Sequence, residues 1–227
     1  MTPADRPALR SFGRIRSRTI KPAQSALMET LLPSLATPTT AFDPRTLDPR
    51  RAAAWLEIGF GGGEHLAGQA SANPEALIIG AEPFLNGVAS ALRHIEANAL
   101  ANVRLHVGDA RDLIALLPDA SLDRVFILFP DPWPKARHRK RRLVQAAFVT
   151  ELARVMKPGA MMRFATDWAD YADQTLCLLH RDARFNWLAM QAQDWRTPPS
   201  DHVSTRYEQK RLGDCSPIWL EFQRTTA

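Results

Sequence analysis

The sequence predicts a doubly wound α/β fold: a mostly parallel β-sheet with helices on both faces and an antiparallel strand pair at its C-terminal end. Between residues 52 and 180, short apolar runs of strand length alternate with longer stretches of helix length. Such alternation indicates parallel strands joined by right-handed helical crossovers. The last two apolar runs, FNWLAMQA at 185–192 and SPIWLEFQR at 216–224, suit the closing antiparallel pair.

The first elements follow from local composition. AAAWLEIGF at 52–60 is an apolar run with the character of a buried strand, and GEHLAGQASA at 63–72 follows it as a helix. ALIIGAE at 76–82 repeats the strand pattern, and NGVASALRHIEANAL at 86–100 repeats the helical pattern. Each helix supplies the crossover that two parallel strands require.

The second half of the chain continues the alternation. VRLHVGDA at 103–110 and DRVFILFP at 123–130 are strands that flank a short helix. LVQAAFVTELARVM at 143–156 is a long helix, and KPGA after it supplies the proline and glycine that end helices. MMRFATD at 161–167 is the fifth strand, and a further helix spans 171–180.

Residues 1–50 differ from the rest and are predicted to form a basic, flexible N-terminal arm before a single domain at 51–227. The arm is rich in proline and threonine and has little apolar periodicity, although the segment at 21–33 has the character of one short helix. Its bases are Arg6, Arg10, Arg14, Arg16, Arg18 and Lys21. A solvated tail, a tail that contacts nucleic acid and a transit peptide are all compatible with this composition.

Composition narrows the classes of protein. No apolar run approaches the roughly 18 residues of a spanning helix, and no signal-peptide core is present, so we expect a cytoplasmic protein without membrane contact. Cys177 and Cys215 are far apart and form no CxxC pair, which indicates neither a disulfide framework nor a metal site. A net charge of +5 and a pI of 9.7 are compatible with a polyanionic partner.

A glycine loop follows the first strand, where doubly wound sheets bind ligands. Gly59, Gly61 and Gly63 permit positive φ angles and close approach of the backbone to a ligand. A dinucleotide fingerprint would require a third glycine at the position of Glu64, which weakens a phosphate-binding interpretation. Glu57, before the glycines, suits a cationic ligand better than a pyrophosphate.

Two further acids end the next strands. Glu82 lies about twenty residues beyond the loop, where a carboxylate accepts hydrogen bonds from ribose hydroxyls. Asp109 ends the third strand, where a carboxylate meets an adenine amino group. Taken singly, each acid is also compatible with a plain surface strand end. Together with the loop they predict a nucleoside that has no phosphate and carries a positive group, as S-adenosylmethionine does.

The stretch FPDPWPKARHRKRR follows the fourth strand. Its prolines restrict the loop around Asp131, and Trp133 offers a flat face for stacking a base, although a structural turn with a buried tryptophan is the alternative. The bases after it run toward the helix expected near Leu143, where cations oppose the helix dipole. We interpret them as phosphate contacts, with a solvated face as the alternative. They are Arg137, His138, Arg139, Lys140, Arg141 and Arg142.

Six segments together resemble the bacterial tRNA guanine-N7 methyltransferase family, whose members have the class I S-adenosylmethionine-dependent fold. They are EIGFGGG, GAEPFLNGV, GDA, the FPDPWPKARHRKRR stretch, TDWADY at 166–171 and STRYEQK at 204–210. The resemblance implies N7 methylation of guanosine 46 in the tRNA variable loop. It also implies a donor pocket lined by Glu57, the three loop glycines, Glu82, Asp109 and Asp131.

The resemblance assigns further roles by motif. It makes Asp131 the catalytic residue and gives RNA contacts to 137–142. Substrate-holding roles fall on Lys135, Asp167, Thr205, Arg206, Tyr207 and Glu208. Because guanine N7 carries no proton, we expect Asp131 or Asp167 to stabilise a guanine that becomes cationic, instead of acting as a base.

Other functions remain open from sequence alone. A small-molecule S-adenosylmethionine-dependent methyltransferase would share the donor pocket but would not need the basic run. A non-catalytic RNA-binding module would leave Asp131 and the glycine loop unexplained. The missing third glycine disfavours an NAD-dependent oxidoreductase. A monomer and a homodimer are equally compatible with the sequence.

Overall fold

The computed structural model describes residues 19–226, which form a seven-stranded sheet with flanking helices. The strands are β1 (Ala53–Ile58), β2 (Ala76–Ala81), β3 (Val103–His106), β4 (Leu122–Leu128), β5 (Met156–Thr166), β6 (Phe185–Trp187) and β7 (Ile218–Arg224). The helices are α1 (Pro22–Thr30), α2 (Leu32–Leu35), α3 (Pro44–Leu47), α4 (Glu64–Ala72), α5 (Leu85–Ala97), α6 (Ala110–Leu116), α7 (Ala146–Val155), α8 (Ala169–His180), α9 (Gln193–Arg196) and α10 (Arg206–Gln209). A 3₁₀ helix spans Ala136–Arg141.

The strand order is β3-β2-β1-β4-β5-β7-β6. Strands β1 to β5 are parallel, β7 is antiparallel to β5, and β6 is antiparallel to β7. The predicted fold class is therefore confirmed, including the antiparallel pair. The chain leaves β1 toward β2 and β4 toward β5, so a crevice opens beyond the carboxyl ends of β1 and β4, where such sheets bind ligands.

Each face of the sheet has its own apolar layer. The alternation of side chains along β2 illustrates this, because Leu77 and Ile79 pack on the side of α6, α7 and α8, whereas Ile78 packs on the side of α4 and α5. All three residues are buried. The sheet is thus covered on both faces, and its carboxyl edge remains as the place for a ligand.

The predicted elements are present, with three differences. The run at 185–192 forms a strand of only three residues, β6. The segment KPGA was predicted to end the long helix, but that helix ends at Val155 and KPGA lies within β5, where Gly159 has a φ of 84°. The pairing of β5 with β4 shifts there, from Leu122 with Met156 to Arg124 with Met161, so the proline and glycine form a bulge.

The third difference concerns the basic run. The helix predicted from residue 143 begins at Ala146, and the run forms the separate 3₁₀ helix before it. The expectation that these cations crowd the N-terminus of the long helix was therefore wrong. Several cations still lie together on one short surface segment, and their charge must be balanced by an anionic partner or by solvent.

Part of the segment assigned to an arm packs on the domain. Leu27 of α1 and Leu35 of α2 are buried in the layer that contains α5. The Thr37 N–H donates to Leu105 O at 3.0 Å, beside a bridge between Ala36 and Leu105. The bases from Arg6 to Arg18 lie outside the described residues. No helix within residues 19–226 has the length and apolarity to cross a membrane.

Candidate active site

The glycine loop after β1 leaves open space above its backbone. Gly59, Gly61 and Gly63 have φ angles of 72°, 53° and 83°, which few residues other than glycine adopt without strain. A Cβ placed on Gly59 or Gly61 would meet no protein atom within 4 Å. A Cβ on Gly63 would instead come within 2.5 Å of Ala91 in α5. The loop therefore packs on α5 at one end and faces the crevice at the other.

Glu82 lies beneath this loop at the end of β2. One carboxylate oxygen accepts the Gly61 N–H at 2.8 Å, and the other accepts the Phe84 N–H at 2.9 Å. The side chain is buried, and this burial raises its pKa, partly opposed by the two backbone hydrogen bonds. Each oxygen keeps a second lone pair, so the carboxylate can still accept hydrogen bonds from ribose hydroxyls.

Glu57 is held by a histidine whose role the sequence did not reveal. Glu57 is buried in β1, and its Oε2 lies 2.8 Å from Nδ1 of His65, which is fully buried in α4. The His65 ring packs in a T-shaped arrangement on Phe126 in β4. On the other side, the ring lies 5.6 Å between centroids from His202. Spacing alone could not have paired residues that are 137 positions apart.

Asp109 has a structural contact that competes with the predicted donor contact. It is the N-cap of α6 and accepts the Arg111 N–H at 2.9 Å. The Arg111 guanidinium also donates to both oxygens of the same carboxylate. Asp109 nevertheless lies at the carboxyl edge of the sheet, next to the end of β2, as predicted.

The loop after β4 is strained and exposes Asp131 in the crevice. Phe129 and Trp133 have φ angles of 50° and 42°, a region that costs bulky residues about 1 to 3 kcal/mol each. Asp131 is exposed, yet the surrounding protein displaces enough water to raise its pKa. The half-buried Trp133 has Arg141 over its ring at 5.0 Å and His138 at its edge.

The six predicted RNA contacts differ in exposure. Arg137, Arg139 and Lys140 are exposed, as is Lys135 before them. His138 and Arg141 are half-buried. Arg142 is 2% exposed, so its guanidinium faces protein and not solvent. The cationic surface available to a polyanion therefore consists of the 3₁₀ helix and Lys135 before it, and it excludes Arg142 after it.

Asp167 follows β5 and lines a cavity of about 710 Å³ together with Phe129, Glu208 and Trp219. One of its oxygens accepts the Gly213 N–H at 2.8 Å. The other, Oδ1, is buried and has no hydrogen-bond partner among the described residues. A Cβ on Gly213 would overlap Asp167, so only glycine allows this approach. The structure thus holds a buried acid at the wall of the cavity, and one oxygen of this acid has no hydrogen-bond partner among the described residues.

The predicted substrate segment borders the same cavity. Thr205 caps α10 and forms a capping box with Glu208, whose side chain also lies 2.8 Å from Nε2 of His202. Burial lowers the pKa of His202, so the imidazole is neutral at pH 7. Glu208, His202, His65 and Glu57 are successive neighbours. This row of side chains runs from α10 to the glycine loop.

Two side chains of α10 connect it to the donor side of the crevice. Arg206 pairs with Glu64, the first residue of α4, at 3.1 Å. Tyr207 packs on Phe129 with ring centroids 5.8 Å apart, and burial raises its pKa. The segment from Thr205 to Glu208 thus lies between the glycine loop, the strained loop after β4 and the cavity of Asp167.

The arrangement fits a phosphate-free nucleoside and a second, larger ligand. Open space lies above Gly59 and Gly61, the Glu82 carboxylate lies below the loop, and Asp131 borders the crevice. The cavity of Asp167 lies beyond it, on the side of the segment that precedes β7. Between residues 19 and 226, no group of three or more His, Cys, Asp or Glu side chains is arranged to hold a metal ion.

Comparisons with known proteins agree with this chemistry. Residues 51–219 match a family model described as "Putative methyltransferase". A tRNA (guanine-N(7)-)-methyltransferase of Caulobacter vibrioides is 63% identical over 216 residues, which cover 95% of each chain. A protein of the same name from Hyphomonas neptunium is 54% identical over 217 residues, covering 95% of this chain and 99% of that one.

A solved structure supports the fold. The 16S rRNA methyltransferase KamB superposes with a TM-score of 0.57 at 16% identity, covering 80% of this chain and 92% of that one. Identity at this level shows a shared fold and nothing about the substrate. The sheet with one antiparallel strand pair is therefore a class I methyltransferase fold.

Proposed function

Because the chain belongs to the tRNA (guanine-N7-)-methyltransferase family, we propose that its target is N7 of guanosine 46 in the variable loop of tRNA. Its methyl donor is S-adenosylmethionine, which supplies the methyl group from a sulfonium when bound. The observation that supports the target most directly is the buried Asp167, which lines a cavity beside the strained Asp131 loop and has one oxygen without a hydrogen-bond partner among the described residues. Because the proposed substrate is tRNA, we expect the protein to act in the cytoplasm.

The donor would be held by groups at the ends of β1, β2 and β3. The Glu82 carboxylate would accept the ribose hydroxyls, and the open backbone of Gly59 and Gly61 would face the donor. Glu57 and Asp109 would add negative charge, which favours a cationic ligand. Arg111 already neutralises part of the charge at Asp109, so Glu57 and Glu82 are expected to contribute more.

The acceptor guanine would be held by two acids. Guanine N7 attacks with a lone pair and has no proton to lose, so a general base is not required. Methylation leaves the ring cationic and its N1 and N2 protons more acidic. A fixed carboxylate stabilises this charge and accepts those protons in hydrogen bonds. Asp131, which is exposed after β4, and Asp167, which has one oxygen without a partner among the described residues, would be these acids.

The exposed bases would hold the RNA backbone. A guanine that pairs or stacks within a folded tRNA must be turned out of that structure, at a cost of a few kcal/mol. Phosphate contacts from Arg137, Arg139 and Lys140, all exposed on the 3₁₀ helix, would offset this cost. Arg142 is buried and would not contact a phosphate.

The proposal is tested by incubating purified protein with labelled S-adenosylmethionine and an unmodified tRNA transcript. Mapping the product by borohydride reduction and aniline cleavage reports 7-methylguanosine at nucleotide resolution. We expect one modified position, and a transcript with adenosine at position 46 should accept no label. Label at another guanosine would replace the target, and label on small molecules alone would favour a small-molecule methyltransferase.

We expect Asp131→Asn to lower kcat by about 100-fold or more, because the isosteric amide removes the charge that stabilises the cationic guanine. Binding of S-adenosylmethionine, measured by calorimetry, should change much less, since Glu82 and the glycine loop are untouched. Asp173→Asn, at an exposed position on α8, serves as a control that removes a different carboxylate. Turnover close to that of the unaltered protein would remove Asp131 from the mechanism.

A further inference from the structure

Arg142 differs from the other bases of the run because its side chain is buried in the protein. Its side chain is 1% exposed, whereas that of Arg139, three residues earlier, is 52% exposed. A buried guanidinium is retained only when protein groups replace its hydration. The partners of Arg142 therefore indicate what the residue does.

Those partners come from two separate elements. Arg142 Nε donates to Pro132 O at 2.8 Å, and Nη1 donates to Gln174 Oε1 at 2.7 Å. Nη2 forms an ion pair with Asp170 Oδ1 at 2.5 Å, and the guanidinium lies 4.7 Å from the centroid of the Tyr171 ring. One planar group thus connects the loop after β4 to the first two turns of α8.

Both connected segments adjoin an acid of the site. Pro132 directly follows Asp131, and Asp170 lies three residues after Asp167. The loop on the Pro132 side includes two non-glycine residues with positive φ, Phe129 and Trp133. Such a conformation persists only when its surroundings hold it, and Arg142 supplies a direct hydrogen bond to the middle of that loop.

We propose that Arg142 is a positioning residue that holds the Asp131 loop at a fixed distance from Asp167, and that it makes no contact with RNA. The proposal rests on the proposed function, because it assigns the two acids to one acceptor base. The fork of the guanidinium is essential to it, since Pro132 O, Gln174 and Asp170 are reached by three different nitrogens. A lysine has one nitrogen and cannot reproduce these contacts.

Kinetics test the role in catalysis. Arg142→Lys keeps the charge but loses the fork, so the Asp131 loop shifts. We expect kcat to fall by about 100-fold, the effect of a displacement near 1 Å, while the KM for S-adenosylmethionine changes by less than about threefold. Thermal unfolding identifies the temperature at which the variant stays folded. A kcat near that of the unaltered protein would overturn the proposal.

Salt dependence separates positioning from RNA contact. A phosphate contact adds about 0.7 to 0.9 to the slope of log Kd against log salt concentration. We expect Arg142→Lys and Arg142→Ala to leave this slope unchanged for tRNA binding. Arg139→Ala is the matched control, because Arg139 pairs with the same Asp170 carboxylate but is exposed, and it should lower the slope by about one. A lower slope for Arg142→Ala would show that Arg142 contacts a phosphate and would contradict the proposal.

Two measurements need no RNA, so they separate failure of this proposal from failure of the proposed function. In Arg142→Ala, trypsin should cleave between Lys135 and Arg141 faster than in the unaltered protein, with no change at sites elsewhere. Millimolar guanidinium should slow this cleavage again by filling the vacated site. Unchanged cleavage in a folded variant would show that Arg142 does not hold the loop. If cleavage does increase but the unaltered protein methylates no tRNA, the proposed function is wrong and the role of Arg142 in holding the loop is still supported.

Discussion

Four of the acids at the carboxyl edge of the sheet differ in their capacity to bind a ligand, because their surroundings differ. Glu57 is buried against His65, and Glu82 is buried with a backbone N–H on each oxygen. Asp167 is buried with one oxygen lacking a partner among the described residues, whereas Asp131 is exposed in the crevice. Rigid, already bonded acids suit a donor that binds the same way each time. The acids with remaining capacity suit an acceptor whose charge changes during the reaction.

Glu82 should make donor binding sensitive to pH. Burial raises its pKa, so its carboxylate gains a proton at a higher pH than an ordinary glutamate as the solution is acidified. The protonated form accepts ribose hydroxyls poorly, so affinity falls with falling pH through that raised pKa. Calorimetric titrations with 5′-methylthioadenosine, which has the ribose but no amino-acid group, measure this fall when they are repeated at a series of decreasing pH values.

The control for this prediction is Glu82→Gln. The amide cannot titrate, so its affinity should be lower by about tenfold at neutral pH and nearly constant across the same range. Asp131 also has a raised pKa, and Asp131→Asn identifies any contribution from that group. If Glu82→Gln follows the same pH curve as the unaltered protein, another group is responsible.

At the scale of elements, the sequence specified what depends on short-range pattern. Apolar runs located the strands, and parallel strands bring their carboxyl ends to one edge, so Glu57, Glu82, Asp109 and Asp131 could be predicted as neighbours. The bulge at Gly159 was missed because a proline followed by glycine ordinarily ends an element. Whether this segment ends an element or continues a strand depends on its pairing with β4, which is distant in sequence.

Buried polar groups show the same limit more sharply. In the sequence, Arg142 cannot be distinguished from the exposed arginines beside it. It is buried because it packs against Asp170 and Gln174 on α8. His65 and His202 likewise meet only after the segment before β7 crosses α4. Contacts of this kind depend on three-dimensional packing, which neither periodicity nor spacing encodes.

The helices before β1 should contribute to stability. Leu27 is buried in the layer that contains α5, so Leu27→Ala is expected to lower the free energy of unfolding by about 2 to 3 kcal/mol. Urea denaturation measures this difference. Glu29→Ala, at an exposed position on the same helix, should change it by less than about 0.5 kcal/mol. Equal, small effects at both positions would instead support an arm that packs weakly, as the sequence predicted.

At the scale of the whole molecule, charges of opposite sign occupy different places. The acids line the crevice and its cavity, whereas exposed bases lie on the 3₁₀ helix beside it. A cationic donor and a guanine that becomes cationic both favour the acidic interior. The phosphates of an RNA favour the basic rim. The net charge of +5 is therefore less informative than this separation, which allows one base to enter while the backbone stays outside.

The arginines at the start of the chain are expected to add phosphate contacts when tRNA binds. Five of them, Arg6, Arg10, Arg14, Arg16 and Arg18, precede the described residues. Replacing all five by glutamine keeps the length of the chain and removes only charge. Each arginine that meets a phosphate contributes about 0.7 to 0.9 to the salt slope of tRNA binding, so we expect the slope to fall by at least about one. Filter binding between roughly 50 and 200 mM salt measures this slope.

The same variant distinguishes a nucleic-acid contact from a solvated tail. A contact that acts through phosphates weakens binding to all tRNA sequences alike and leaves the modified position unchanged. Its effect should add to that of Lys140→Ala, because two separate groups of phosphate contacts release counterions independently. An unchanged slope in the five-residue variant, together with a lower slope in Lys140→Ala, would assign RNA binding to the 3₁₀ helix and leave the first residues as a solvated tail.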